Sequence, residues 1–439
     1  MKANTQLKKT LGLGSLILFG LAYMAPMIVF GTYGVIYKQS GGQVASSYVV
    51  AMIAMLFTAI GYAVMAKKIP ESGSSYGYVS KTFGAKFGFL IGWVILLDYL
   101  FLPMVIWLIG GVYLEAYAPS IPGWFWLVAF IVLTTGLNIV GFGVAKKVNL
   151  VLMILQLAVI IAFCALAMMM VSDPSHAAVA TTTTAPTHPH VSLVFVGAAI
   201  ACYSFLGFDA VSTMAEETEN PVKNVPKAII WVTVIGGVIF AAASFIMSTA
   251  FPDISIFNSD SAAADMAKQV GGIVFSSIFV ATLVIAQFTS GLSAQAGASR
   301  LIYAMGRDGV LPNSWFGGLH ERFKTPYVSI LLVGVVGFLA LKLSVTTSTS
   351  FINFGAFLAF MFVNLCAVVS YFRMPQSEKS VGTFLTHVAA PVLGILCILK
   401  LLVSLDEDAI TLGLCWLTLG VCIMLFLLKR GTKLELEIK

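Results

Sequence analysis

Apolar runs of about twenty residues, each long enough to cross a ~30 Å hydrocarbon layer as a helix, recur along the whole chain. They predict twelve spans, at 14–37, 44–66, 88–116, 123–142, 148–171, 192–217, 228–250, 270–298, 326–343, 348–372, 385–404 and 409–428. Glycine and proline inside these runs do not exclude them, because neighbouring helices can satisfy freed backbone groups in a membrane. The first run follows a polar stretch, Met1 to Thr10, as a signal peptide would. It continues to Ile36 without a small-residue cleavage site and reads as a span. The expected fold class is therefore all-α and polytopic.

Composition agrees with this pattern. Of the 439 residues, 59% are hydrophobic and 10% charged, against roughly 25% charged in a soluble domain. One soluble core stops growing near ~250–300 residues, so a bilayer must take up the remaining apolar surface. With the N-terminus cytoplasmic, all but four of the 25 lysines and arginines fall on the inner side, the exceptions being Lys38, Lys268, Lys342 and Lys400. This asymmetry predicts both termini inside. The outer side carries Glu115, Asp173, Asp253, Asp260, Asp265, Asp406, Glu407 and Asp408. Such a field draws cations, although keeping bases inside also leaves acids outside. The bases form no patch, which argues against nucleic acid as a partner. The six cysteines lie in apolar runs without Cys-x-x-Cys spacing and read as small buried hydrophobes. The outer loop Ser172 to His190 is low in complexity and reads as a linker; its His176, His188 and His190 have no carboxylate pattern that would make a metal site.

Two spans are interrupted at matching places. Span 1 reads Gly20-Leu-Ala-Tyr23-Met-Ala25-Pro26-Met, and span 6 reads Tyr203-Ser-Phe205-Leu-Gly207-Phe-Asp209-Ala. They lie five spans apart, so the second unit has the opposite topology to the first. That is the pattern of an inverted-repeat transporter, in which half-helix ends at the midplane bind substrate.

Longer motifs carry a resemblance. They are Pro70-Glu-Ser-Gly-Ser-Ser-Tyr76-Gly-Tyr78 with Phe83-Gly84, and Phe205-Leu-Gly-Phe-Asp209 continuing to Glu216-Glu217-Thr-Glu-Asn220-Pro221. A third is Ser299-Arg300-Leu-Ile-Tyr303-Ala-Met-Gly-Arg307-Asp308-Gly309-Val-Leu-Pro312. The chain resembles the amino acid–polyamine–organocation transporters over nearly its whole length. Asp98-Tyr99-Leu-Phe-Leu-Pro103-Met and the span 1 break look like those of bacterial proton-coupled putrescine importers. The resemblance implies one transport domain over 1–439. Within it, a five-plus-five inverted-repeat core occupies 1–372 and two peripheral spans occupy 385–428. It also implies a substrate site between spans 1, 3, 6, 8 and 10, and an inner-membrane location.

There are two departures. Amino-acid-carrying relatives expose Gly-Ser/Thr-Gly N–H groups at the first break. This chain has Met24-Ala25-Pro26-Met27 there, and proline removes a donor. Some proton-coupled relatives have a lysine where this chain has Gln156, which cannot carry a proton.

Asp98 and Asp209 are the only acids deep in the spans, and no base is deep enough to pair with them. On the insertion scale each costs about 2.5–3.5 kcal/mol. Together they approach the ~5–15 kcal/mol net stability of a typical protein. Asp209 also reads as an N-cap of the second half-helix; Asp98, in mid-helix, has no such role. Two unpaired carboxylates call for a cation, and a protonated diamine brings two ammonium groups. Each is worth up to about 4 kcal/mol at ~4 Å and an effective dielectric of ~20, before desolvation. The substrate-binding candidates are Asp98, Tyr99, Asp209, Tyr23, Tyr203, Phe205, Ala25, Pro26 and Gly207. Asp209 and Asp98 are also the proton-coupling candidates. Gln287, Thr289, Ser290 and Ser293 of span 8 could bond ligand or join helices.

The expected function is import of a small amine such as putrescine, with proton symport implied by the resemblance. The alternative is an amino acid permease, cationic amino acids first. The partners are then the amine, protons and membrane lipid. No cofactor is expected, and no zinc-protease, hydrolase or nucleotide-loop motif suggests an enzyme.

Overall fold

A computed structural model describes residues 11–71, 74–141, 146–172, 191–255, 257–307, 311 and 313–429. The chain between Ser172 and Val191, with its three histidines, lies outside the described residues, as do the outermost terminal bases. The described residues are almost wholly helical. Among the described residues ten helices are long and apolar enough to cross a membrane, and a bent pair makes an eleventh.

That pair is span 1, Leu13–Met24 and Ile28–Ser40, bent by 43°. Spans 2 to 5 are Val44–Lys68, Ala85–Tyr117, Gly123–Val140 and Lys146–Val171, with a short helix, Ser74–Phe83, between spans 2 and 3. Span 6 is Val191–Glu217, span 7 Pro221–Ala250 and span 8 Ala262–Arg307. Spans 10 to 12 are Val345–Phe372, Val381–Leu402 and Glu407–Lys429.

Span 9, expected at 326–343, is an 11-residue α-helix, Tyr327–Gly337, continued by a 3-10 turn of 4 residues. At ~1.5 Å and ~2.0 Å per residue it covers about 24 Å, less than a full hydrocarbon layer. Two spans start earlier than the apolar pattern indicates. Span 7 opens on Pro221, whose missing N–H is no loss at a helix start, and its first turns carry Lys223, Asn224 and Lys227. Span 8 gains a segment holding Asp265 and Lys268 ahead of a kink at Gly272. Polar residues hid both extensions.

Burial varies steeply between helices. The most apolar stretch of span 3 is 94% buried, whereas that of span 12 is 17% buried. Span 3 packs against spans 4, 8, 9, 10 and 12 and the short helix. Gly355 of span 10 permits one of these approaches, since a Cβ there would sit 2.9 Å from the Val94 carbonyl. Span 12 is joined to span 3 by a reciprocal pair. Trp93 Nε1 donates to the Trp416 carbonyl and Trp416 Nε1 to the Trp93 carbonyl, both at 2.9 Å, with the rings stacked at 4.8 Å. The cysteine expectation needs correction. Cys202 and Cys366 are buried, but Cys415 and Cys422 are exposed on span 12, because a helix bordering lipid turns apolar residues outward.

The chain before span 1 is tied to the end of span 6. Leu11 N–H donates to the Glu217 carbonyl at 3.0 Å, and Glu219 N–H to the Leu11 carbonyl at 2.9 Å. The two broken spans are thus fastened together at one end.

Candidate functional site

The breaks form as their residues dictate. In span 1, Pro26 has no N–H for the helix ladder and Ala25 takes a left-handed φ of 49°. This frees the Tyr23 carbonyl, which accepts from the Ser290 hydroxyl of span 8 at 2.9 Å. In span 6 the α-helix ends at Ala201 and a 3-10 turn covers Cys202–Phe205. After the break a 3-10 segment of 9 residues runs from Asp209 to Glu217. Runs of that length are uncommon and mark hinges or strain. Gly207 sits in the break with φ +122°, and a Cβ on it would lie 2.5 Å from the Tyr23 ring. The two breaks therefore touch, Gly207 against Tyr23.

Beside them is a small cavity lined by Tyr23, Met24, Ala25 and Ile28 of span 1, and by Leu102 and Ile106 of span 3. Tyr203, Leu206, Gln287 and Ser290 complete its wall. Leu102 and Ile106 follow Asp98 at successive helical turns, on the same side of span 3. The walls are largely apolar, with a few hydroxyl and amide groups.

Asp98 and Asp209 are 3% and 2% exposed. Asp98 Oδ1 and Asp209 Oδ2 have no hydrogen-bond partner among the described residues, and the one ion pair there joins Lys81 to Glu71. The two carboxylates are close enough to feel each other's charge, and both act on Tyr23, Tyr62 and Tyr99. Asp209 also acts on Tyr78, and Asp98 on Tyr203. Two acids whose charges reach five buried tyrosines leave the site with strong acceptors and neutral donors. Such a site attracts a cation and offers ring faces to it.

The expected residues divide on placement. Tyr23, Ala25 and Tyr203 line the cavity, while Gly207 and Pro26 shape the breaks. Asp98, Tyr99 and Asp209 do not line the cavity, although both acids act on Tyr23, which does. The N-cap geometry does not form. Asp209 begins the 3-10 segment, and its Oδ1 accepts from Gly207 N–H at 3.3 Å. Phe205 turns to span 7, where its ring meets Phe240 edge-on at 5.2 Å. On span 8, Gln287 and Ser290 reach the cavity, whereas Thr289 and Ser293 bond carbonyls of their own helix. Gln156 is buried, with its Oε1 unpartnered among the described residues. Among the described residues, no cluster of three or more His, Cys, Asp or Glu could hold a metal. Tyr62 and Tyr78 are not among the expected site residues, Tyr78 standing only in the Pro70–Tyr78 motif, since a tyrosine in a span or a short helix carries no signal of its role until its neighbours are known.

A profile described as amino acid permease matches residues 13–428. The chain is 37% identical over 433 residues to the low-affinity putrescine importer PlaP of Escherichia coli (strain K12), covering 95% of this chain and 93% of the relative. It is 29% identical over 454 residues to the branched-chain amino acid permease BcaP of Bacillus subtilis (strain 168), covering 98% and 95%. A methylthioribose transporter of Bacillus subtilis (strain 168) is 28% identical over 398 residues, covering 86% and 84%.

Proposed function

Because the chain belongs to the amino acid permease family, we propose that it is a secondary transporter importing putrescine or a closely similar diamine by proton symport. The observation that carries this reading is the pair Asp98 and Asp209, buried beside the two breaks without a basic partner among the described residues. The named substrate of the relative with 37% identity supports it. So does the first break, where Pro26 and Ala25 stand in place of glycine N–H groups that would receive a substrate carboxylate. Leu102, Ile106 and Leu206 of the cavity wall suit a methylene chain. Entry of a divalent cation down a potential of ~100 mV gains about 4.6 kcal/mol. Asp98 and Asp209 are the proton-coupling groups of this reading, and no enzymatic step or cofactor enters it.

Competition against labelled putrescine in proteoliposomes tests the substrate. A monoamine of equal length loses one charged hydrogen bond, typically worth ~1.5–3 kcal/mol. Putrescine and cadaverine should therefore compete about ten- to hundredfold better than butylamine. Ornithine and lysine should also fall behind, since they bring a carboxylate to two acids. If lysine or a neutral amino acid competes as well as putrescine, the diamine reading fails and the permease alternative, consistent with the named substrate of BcaP, replaces it.

The reading places the chain in the bacterial inner membrane with both termini cytoplasmic, on the distribution of lysine and arginine. Single cysteines at Thr183 and Arg322, in a cysteine-free background, test it. In intact cells an impermeant thiol reagent should label only the first. Labelling of the second alone would reverse the orientation.

A further inference from the structure

Span 2 and the short helix that follows it lie outside the five spans expected to build the substrate site, yet they bring polar groups to Asp209. Tyr62 of span 2 is fully buried, and its hydroxyl has no partner among the described residues. The same holds for the Ser75 hydroxyl on the short helix, which faces Tyr62. The Tyr99 hydroxyl approaches Asp209 without closing a hydrogen bond, and Asp209 Oδ2 is likewise free. Aromatic rings enclose the group. Tyr62 meets Tyr78, Phe208 and Phe360 edge-on, with ring centroids 6.2, 5.5 and 5.7 Å apart. The Tyr78 hydroxyl is directed to Ser212, leaving its ring as wall.

One buried unpaired polar atom typically costs about 1–3 kcal/mol, and native structures contain few of them. Here they form two neighbouring pairs, Tyr62 with Ser75 and Tyr99 with Asp209, neither closing a hydrogen bond, and they point to a guest that donates to both pairs. The free atoms are a carboxylate oxygen and three hydroxyl oxygens, all able to accept. A primary ammonium donates three hydrogen bonds in a compact tetrahedral arrangement and is further attracted by tyrosine ring faces. A carboxylate guest would meet Asp209 and be repelled.

We propose that Tyr62, Ser75 and Tyr99, with Asp209, form a second ammonium subsite on the short-helix side of the breaks. The distal end of the substrate occupies it while Asp98 holds the near end. The inference rests on the diamine reading above and assigns two further specificity residues, Tyr62 and Ser75. In the proposed orientation this side is cytoplasmic, so the subsite lies on the path of release.

The test is equilibrium binding to the purified full-length protein in detergent, with labelled putrescine and with butylamine as competitor. Tyr62→Phe keeps the ring and deletes only the hydroxyl. It should weaken putrescine roughly tenfold or more, as expected for a lost hydrogen bond to a charged group. Butylamine should change less than about threefold on the same argument, because a single ammonium deprived of this subsite still has Asp98. The preference for putrescine over butylamine then shrinks. Unchanged putrescine affinity would overturn the assignment, as would equal weakening of both ligands. Should Tyr62→Phe not elute as a monodisperse species, Ser75→Ala carries the same comparison, and the same results support or overturn the subsite. Failure of the wild type to bind putrescine would instead sink the diamine reading itself, which separates the two failures.

Discussion

Asp98→Asn should leave the protein inserted and folded while reducing uptake of labelled putrescine ten- to hundredfold. The substitution keeps the shape of the side chain and removes its charge. At 3% exposure, with Oδ1 free of partners and no ion pair among the described residues, that charge has no protein counter-ion on span 3. An ammonium group bound there loses a charge-assisted hydrogen bond, worth about 1.5–3 kcal/mol. Removing a buried carboxylate also removes its insertion penalty, so the thermal midpoint should hold or rise. Asp98→Glu retains the charge and should keep part of the activity, displaced by one methylene. Uptake in proteoliposomes, normalised to inserted protein, measures all three forms. Wild-type transport by the Asn variant would return Asp98 to a structural role.

Gly207→Ala should abolish uptake for a different reason. At φ +122° an L-residue is strained by about 1–3 kcal/mol. The new methyl group would also lie 2.5 Å from the Tyr23 ring, and overpacking of that kind costs about 1–3 kcal/mol more. The sum is a large part of the ~5–15 kcal/mol that holds a typical protein folded. Tyr23 cannot retreat freely, because its carbonyl is held by Ser290 and its ring forms part of the cavity wall. Thermal unfolding in detergent, followed by uptake, separates lost stability from lost transport. A variant with an unchanged midpoint and unchanged uptake would show that the contact between the breaks is dispensable.

Much of this architecture is legible in the residues because a bilayer is an unforgiving solvent. A span must be apolar over some twenty residues and must satisfy its own backbone. Proline at 26, glycine at 207 and carboxylates at 98 and 209 therefore stand out against their surroundings. The same requirement explains the errors at span ends. Lys223, Asn224 and Lys227 continue span 7 beyond the apolar run, as Asp265 and Lys268 do for span 8, because a helix needs no hydrophobicity once it leaves the hydrocarbon.

The sequence by itself determined the all-helical polytopic class, the two interrupted helices and the pair of deep acids, since each follows from a strict local rule or departs from it. It could not say which faces meet. Span 3 is apolar nearly all round, so no periodic stripe distinguishes the side bearing Asp98, Leu102 and Ile106 from the side that binds span 12 through Trp93 and Trp416. Only tertiary packing turned Phe205 to Phe240, brought Gln287 and Ser290 to the cavity and surrounded Asp209 with Tyr62, Tyr78 and Tyr99. These neighbours come from helices far apart in the chain, and their contacts depend on small residues such as Gly207 and Gly355 that let the backbones approach.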